Sequence, residues 1–299
     1  MSNDPYWDKT IAAIRMDGAN GGTVFTDLKG HALTASGGAQ TSTAQSKFYG
    51  SSGYFNNTGQ LVLAASSDWA LGVNPWAIDF WCHPTNANQS TLRGLFSLIG
   101  NVASYAGMQM VYQSDVQQLT IGWEYLRTGM RYALSSPLQN TWSHLALAYW
   151  EGAFTLYLNG IALSGENLGA GVAGKNHTST EGVWVGTAPG HSGFIGYLCN
   201  FRIVKGDCPF RGNFTPPAAF FGYRASGTVK DVAGSFAARI VRAYNRTNGN
   251  LVGQAVSSAL DGSFDIALVT PDPHYVICLD DDSGDELEAL IYDRVMPVL

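Results

Sequence analysis

The chain has 299 residues, of which 45% are hydrophobic and only 13% are charged, and it contains 35 glycines. This composition excludes a disordered chain and is typical of strands joined by many turns. The formal net charge of −6 argues against a nucleic-acid binder, which needs a basic face. No apolar run reaches the roughly 20 residues of a membrane-spanning helix.

The clearest patterns along the chain are those of β-strands. In WAIDFW, Trp76, Ile78 and Phe80 alternate with the residues between them, which predicts a strand with one apolar face. GMQMVYQ (107–113) and LTIGWEY (119–125) show the same alternation. The only helical signal is a single turn near SSDWALG (66–72).

A hairpin is predicted from WSHLALAYW (142–150) and AFTLYLNG (153–160). Glu151 and Gly152 form its turn, and Asn159–Gly160 ends the second strand with a pair that favours positive φ. Strands at such short intervals, separated by Gly, Asn, Asp and Ser, indicate a sandwich or a barrel.

The segment GYLCNFRIVKGDCPFRGNFTPP (196–217) begins as a strand. Strict alternation predicts four core-facing residues, Tyr197, Cys199, Phe201 and Ile203. It turns three residues outward, Leu198, Asn200 and Arg202. Phe210 and Phe214 are expected to fasten the following loop onto the sandwich, and the prolines end the pairing.

The sequence divides into two all-β domains. Residues 1–14 are an N-terminal arm or first strand, residues 15–221 form the larger sandwich, and residues 222–299 form a small β-sandwich. The second domain is near the lower size limit for independent folding.

Several collinear segments resemble the laminin-G-like, concanavalin-A-like domains of bacteriophage structural proteins. They are residues 15–72, WAIDFWCHP, WSHLALAYWEGAFTLYLNG, GYLCNFRIVKG and the exit FTPP. Residues 225–298 resemble a transthyretin-like or carboxypeptidase-regulatory-like module, a small sandwich of transthyretin or immunoglobulin type. The resemblance implies a concanavalin-A-like jelly roll followed by an interaction or spacer domain.

The residues do not predict an enzyme. Glycosidases of this fold use two closely spaced carboxylates on one strand, and no such cluster is present. There is no G-x-S-x-G elbow, and the six histidines are scattered. The cysteines, Cys82, Cys199, Cys208 and Cys278, are interpreted as free thiols.

Aromatic residues are the candidate ligand-binding groups. Trp150 and Trp184 are out of phase with their apolar neighbours, so each is expected to be exposed, for stacking on a sugar or for burial in a protein interface. Trp123 and Tyr125 are further candidates, although they share a face with Leu119 and their default role is core packing.

No cofactor is required, but the resemblance implies a structural calcium ion as an alternative. Asp17 matches an early acidic position of the family, and Asn200 stands where the family commonly has a carboxylate. An amide in that place weakens a hard-cation site. We therefore regard two interpretations of Asp17 as equal: a calcium ligand, or a turn residue that binds no ion. The acidic run at 280–286 is interpreted as a solvated hairpin tip.

The N-terminal sequence lacks the pattern of a secretory signal peptide, although such folds usually act outside cells. A virion protein made in the host cytoplasm resolves this conflict. We therefore expect a non-enzymatic phage structural protein on the tail or capsid surface, oligomeric in the particle and in contact with other virion proteins. Binding of host-surface polysaccharide is either an added property or, as the alternative, the main function of an adhesin; a depolymerase is disfavoured.

Overall fold

The computed structural model describes residues 4–48, 50–85, 90–98, 107–123, 126–172, 175, 177–218, 223–231, 233–268, 273–279 and 290–297. Among these residues the helices are two short 3₁₀ turns, Trp7–Lys9 and Ser67–Trp69. The second lies in the predicted SSDWALG segment. Neither turn has the length or apolar character that crossing a membrane requires.

The chain forms two compact units, residues 8–219 and residues 220–299 together with 1–7. The strands of the larger unit are β1 (Thr10–Ile14), β2 (Leu33–Ser36), β3 (Gln40–Ser42), β4 (Ser52–Asn56), β5 (Gln60–Leu63), β6 (Trp76–Pro84), β7 (Arg93–Leu98), β8 (Met108–Gln113), β9 (Gln118–Trp123), β10 (Thr128–Ala133), β11 (Ser143–Trp150), β12 (Ala153–Leu158), β13 (Ile161–Ala162), β14 (Glu166–Leu168), β15 (Val183–Val185), β16 (Ser192–Gly193) and β17 (Ile195–Lys205). The predicted boundaries at residues 14 and 221 remain a prediction.

The larger unit consists of two sheets, in which the strands are antiparallel except for the pair β16–β7. The first has the order β13-β12-β11-β6-β17-β4-β3, with β1 also paired to β17. The second has the order β14-β10-β9-β8-β7-β15-β5-β2, with β16 beside β7. Both sheets contribute to one buried core, so the unit is a jelly-roll-like sandwich, and the prediction of an all-β fold is confirmed.

The alternating patterns put the predicted residues into this core. Trp76, Ile78 and Phe80 of β6 lie at 0–1% exposure. The hairpin β11–β12 turns at Glu151 and Gly152, both with positive φ, and ends at Asn159–Gly160 as predicted.

The predicted phase of β17 is wrong over its first half, because the strand contains a β-bulge. Cys199 pairs with Trp81 and Arg202 pairs with Asp79, so β17 has one residue more than β6 between these pairs. Asn200 takes the left-handed conformation there, with φ 55°.

One extra residue reverses the alternation of a strand. Before the bulge, Leu198 lies in the core while Tyr197 and Cys199 belong to the outer face. After it, Phe201 and Ile203 lie in the core, as predicted.

The loop after β17 covers part of the outer face of the first sheet. We call residues 208–214 the strap. Phe210 and Phe214 stack at 4.3 Å and pack on Tyr157, over sheet positions occupied by the small residues Ala146 and Ala148. The predicted stapling is confirmed.

A buried ionic cluster lies beneath the strap. Arg202 Nε donates to Asp79 Oδ1 at 2.8 Å, and His144 Nε2 lies 3.2 Å from Asp79 Oδ2. Burial alone would raise the pKa of Asp79, but Arg202 and His144 outweigh it and hold the pKa below its usual value. The rings of Phe210 and Phe214 lie at 6.1 and 5.7 Å from His144, which is fully buried.

The second unit contains β18 (Tyr223–Thr228), β19 (Ile240–Asn245), β20 (Leu251–Val256), β21 (Ser263–Leu268), β22 (His274–Cys278) and β23 (Leu290–Val295). β18 pairs with β21, and the remaining strands form a sheet of order β20-β19-β22-β23. Val241 and Ala243 alternate into a small core of their own. The acidic run at 280–286 lies outside the described residues.

The bulge yields a test at Asn200. Asn200→Ala and Asn200→Gly both delete the amide and differ by one methyl group, which at positive φ is strained by about 1–2 kcal/mol. We therefore expect the alanine variant to be less stable than the glycine variant by about 1 kcal/mol in urea unfolding. An alanine variant as stable as the glycine variant would show that the left-handed conformation is not required.

Candidate functional site

The part of the outer face not covered by the strap carries a line of aromatic side chains. Cross-strand pairing sets Gln40 of β3 opposite Tyr54 of β4, Tyr54 opposite Tyr197 of β17, and Tyr197 opposite His83 of β6. Trp142, immediately before β11, continues the line. Directly paired residues share a face of the sheet, so these side chains from four neighbouring strands, together with Trp142, form one continuous surface.

We call Tyr54, Tyr197, His83 and Trp142 the aromatic row. The ring centroids of Tyr54 and Tyr197 are 5.2 Å apart, those of Tyr197 and His83 are 5.8 Å apart, and those of His83 and Trp142 are 5.4 Å apart. The two tyrosines and Trp142 are half-buried, whereas His83 is 5% exposed. The row is therefore a shallow surface of partly accessible rings with the imidazole at its floor.

Polar groups accompany the rings. In the described part of the chain, no hydrogen bond is formed by the hydroxyl groups of Tyr54 and Tyr197 or by the side-chain amide of Gln40, which is half-buried at the end of the row. His83 Nδ1 is buried and has no hydrogen-bond partner beyond its own residue in the parts of the chain that the structure describes. Burial lowers the pKa of His83, so the imidazole is neutral at pH 7. The row offers uncharged donors and acceptors beside apolar ring faces.

Trp184 is half-buried on the other sheet. It alternates with the core residues Val183 and Val185, which agrees with the predicted phase. Its cross-strand neighbour Ser97 and the next residue across, Gln109, are both fully buried, and their side-chain polar atoms have no partner among the described residues. The polar groups beside Trp184 are therefore enclosed, whereas those of the aromatic row lie beside half-buried rings.

The other aromatic candidates have different surroundings. Trp150 is half-buried, and the Arg211 guanidinium lies 3.8 Å from the centroid of its ring, so one face of that indole is already covered. Trp123 is 4% exposed in the core, with its ring 5.4 Å from Phe154, which favours the packing role. Tyr125 lies outside the described residues.

The predicted calcium ligands do not fit a calcium site. Asp17 pairs with Arg15, whose Nη2 lies 3.0 Å from Asp17 Oδ2, so a guanidinium already neutralises the carboxylate. Asn200 is fully buried in the bulge and donates its backbone N–H to the Arg15 carbonyl. Among the described residues, no group of three His, Cys, Asp or Glu side chains is placed to hold a metal ion. Calcium prefers six to eight oxygen ligands.

Sequence reasoning missed the aromatic row for two reasons. Strict alternation predicts Tyr197 in the core, because the pattern of residue types does not reveal the bulge. Tyr54, His83 and Trp142 come from segments far apart in the chain, and only the register between strands brings them together. The available signal was local: Tyr54 precedes the core residue Phe55, which predicts an outward ring.

The structure is similar to several solved structures, at low sequence identity. Domain 4 of the arabinanase AbnA from Geobacillus stearothermophilus, solved with arabinotriose, has a TM-score of 0.45 and 17% identity over 67% of this chain and 94% of that one. The botulinum neurotoxin serotype D binding domain has a TM-score of 0.49 and 9% identity over 96% and 79%. Trypanosoma rangeli sialidase has a TM-score of 0.45 and 15% identity over 66% and 30%. No curated protein matches the chain.

A sequence family matches the larger unit directly. The profile described as the concanavalin A-like lectin/glucanases superfamily aligns with residues 55–207, which is just over half of the 299 residues. The matched range runs from β4 to the end of β17 and includes three of the four aromatic-row residues. The concanavalin-A-like fold that the resemblance implied for the larger unit is confirmed, and the chain belongs to the concanavalin A-like lectin/glucanases superfamily.

Proposed function

We propose that the larger unit binds carbohydrate through the aromatic row and does not cleave it. The observation that carries this proposal is the direct cross-strand pairing of Tyr54, Tyr197 and His83 on an outer sheet face, where the two tyrosine rings are half-buried. Aromatic faces pack against the apolar C–H faces of pyranose rings, and polar groups at their edges bind sugar hydroxyls.

The rings and uncharged polar groups of the row suit contact with the rings and hydroxyl groups of sugars. Tyr54, Tyr197 and Gln40 supply hydroxyl and amide groups that the described protein leaves available. Because the strands are about 4.8 Å apart, the row crosses the sheet over a distance that accommodates more than one sugar unit. The preferred ligand is therefore an oligosaccharide that lies across the strands.

The absence of catalysis is part of the proposal. The row itself contains no carboxylate, and retaining or inverting glycosidases need two. Asp79, on the same sheet, is fully buried and occupied by Arg202 and His144 beneath the strap. The glutamates Glu151 and Glu181 are exposed and lie outside the strands that form the row, Glu151 in the β11–β12 turn and Glu181 in a bend before β15.

The row can be tested by paired substitutions. Tyr54→Ala and Tyr197→Ala should each weaken binding of an oligosaccharide identified from a glycan array by about tenfold, the size of effect typical for removing one interface aromatic ring. Tyr54→Phe and Tyr197→Phe keep the ring and should retain most of the affinity. Isothermal titration calorimetry measures both, and the melting temperature verifies the fold.

Trp184→Ala is the matched control, because it removes a half-buried aromatic residue from the opposite sheet. Loss of binding in Trp184→Ala with full affinity in the tyrosine variants would move the site to the second sheet. Release of reducing ends from the bound oligosaccharide would show that the protein is an enzyme.

We further propose that the chain is a phage virion protein, with the transthyretin-like second unit as its spacer or contact to other virion proteins. The collinear segments that resemble those of phage structural proteins support this proposal. Labelled protein should then bind host cells saturably, and removal of surface polysaccharide should abolish that binding. A folded protein that binds no cells, but is found in purified particles by mass spectrometry, would have an assembly role instead of adhesion.

Metal dependence is a separate question. Because Arg15 already pairs with Asp17, we expect EDTA to leave the melting temperature unchanged. A drop of several degrees with EDTA that disappears in Asp17→Ala would instead establish a structural calcium ion. Calorimetry of the metal-free and calcium-saturated protein distinguishes the two results.

A further inference from the structure

A lysine ammonium lies beside the aromatic row on the same sheet face. Lys47 is half-buried, and its Nζ is 3.9 Å from the centroid of the Trp81 ring. Phe48 packs edge-on against the same indole at 5.9 Å, which holds the Lys47 segment on the sheet. The ammonium is therefore placed by a cation–π contact and is partly shielded from water.

The register gives the position of Lys47 relative to the row. Trp81 is two residues before His83 on β6, and its partner Cys199 is two residues after Tyr197 on β17. Two residues along a strand correspond to about 7 Å. Burial raises the pKa of the Cys199 thiol; Lys47 opposes that shift and Asp17 adds to it, which places both charges close to this same position.

Lys47 has no carboxylate partner in the described part of the chain. The nearby carboxylates have other partners, because Asp17 pairs with Arg15 and Asp79 pairs with Arg202 beneath the strap. Lys47 is therefore the cation beside the row whose ammonium pairs with no described carboxylate, in a chain whose formal net charge is −6.

We propose that the ligand of the aromatic row is an acidic glycan, with the sugar ring stacked on the tyrosines and its carboxylate paired with Lys47. The inference rests on the proposed carbohydrate-binding function and assigns its ligand class. A carboxylate about 7 Å from the row is reached by an acidic pyranose in contact with Tyr197. An ammonium–carboxylate hydrogen bond at a partly desolvated position is stronger than the same bond in water. Lys47 is then the residue that discriminates acidic sugars from neutral ones.

The test compares acidic oligosaccharides with their own neutral forms. A panel of uronate and sialate oligosaccharides is titrated by calorimetry before and after chemical reduction of the carboxyl groups to alcohols. We expect the native protein to bind at least one acidic form about tenfold more tightly than its reduced form. Raising the salt concentration should weaken only the acidic form.

In Lys47→Met, the affinity for the acidic form should fall to that for the reduced form. Lys47→Arg should keep most of the preference for the acidic form. Lys230→Met is the matched control, because Lys230 also lies over an aromatic ring, that of Phe236 at 5.3 Å, but in the second unit. It should change neither affinity.

The outcomes separate the two proposals. Equal binding of acidic and reduced forms, or an unchanged preference in Lys47→Met, overturns the acidic-glycan assignment while carbohydrate binding stands. Binding of neither form across the panel and the glycan array overturns both.

Discussion

The β-bulge at Asn200 is the constraint on which the two outer-face clusters depend. Tyr197 and Arg202 are five residues apart, and in a regular strand they would point to opposite faces. The extra residue places both on the outer face while Leu198 and Phe201 still reach the core. Arg202 can then neutralise Asp79, and Tyr197 can join the aromatic row.

The outer face of the first sheet consequently has two parts with different roles. In one part, alanines let the strap approach, and Phe210 and Phe214 seal the Asp79 cluster from water. Removing one partner of such a buried pair costs about 3–5 kcal/mol, so this cluster is tied to folding. The other part keeps its tyrosine rings half-exposed. A buried carboxylate beside a histidine suggests catalysis when seen in isolation, but its burial under the strap argues for a structural role.

Sequence patterns predicted those parts of the fold that follow a strict period. The hydrophobic faces of WAIDFW and of the hairpin at 142–160 were correct, because each strand is regular and one face fills the core. The predicted alternation of β17 is wrong before Asn200, because the bulge there adds one residue. Asn200 carried a weak signal, since asparagine tolerates positive φ better than most residues, but nothing local distinguishes it from an outward asparagine in a regular strand.

The site was less predictable than the fold, because it depends on register. Trp150 is out of phase with its apolar neighbours, as the sequence predicts, but the guanidinium of Arg211 from the strap lies over its ring. Trp184 was also correctly phased, but Ser97 and Gln109 beside it are enclosed. Lys47 is held beside the row by its contact with Trp81, which is thirty-four positions later in the chain. Pairings of this kind are set by the sandwich as a whole.

The most direct measurement is a crystal structure of the protein soaked with an acidic oligosaccharide that binds in solution. The account predicts a sugar ring stacked on Tyr54 and Tyr197, with its carboxylate within hydrogen-bond distance of Lys47 Nζ. Density for the sugar against Trp184 on the second sheet, with the aromatic row empty, would contradict it.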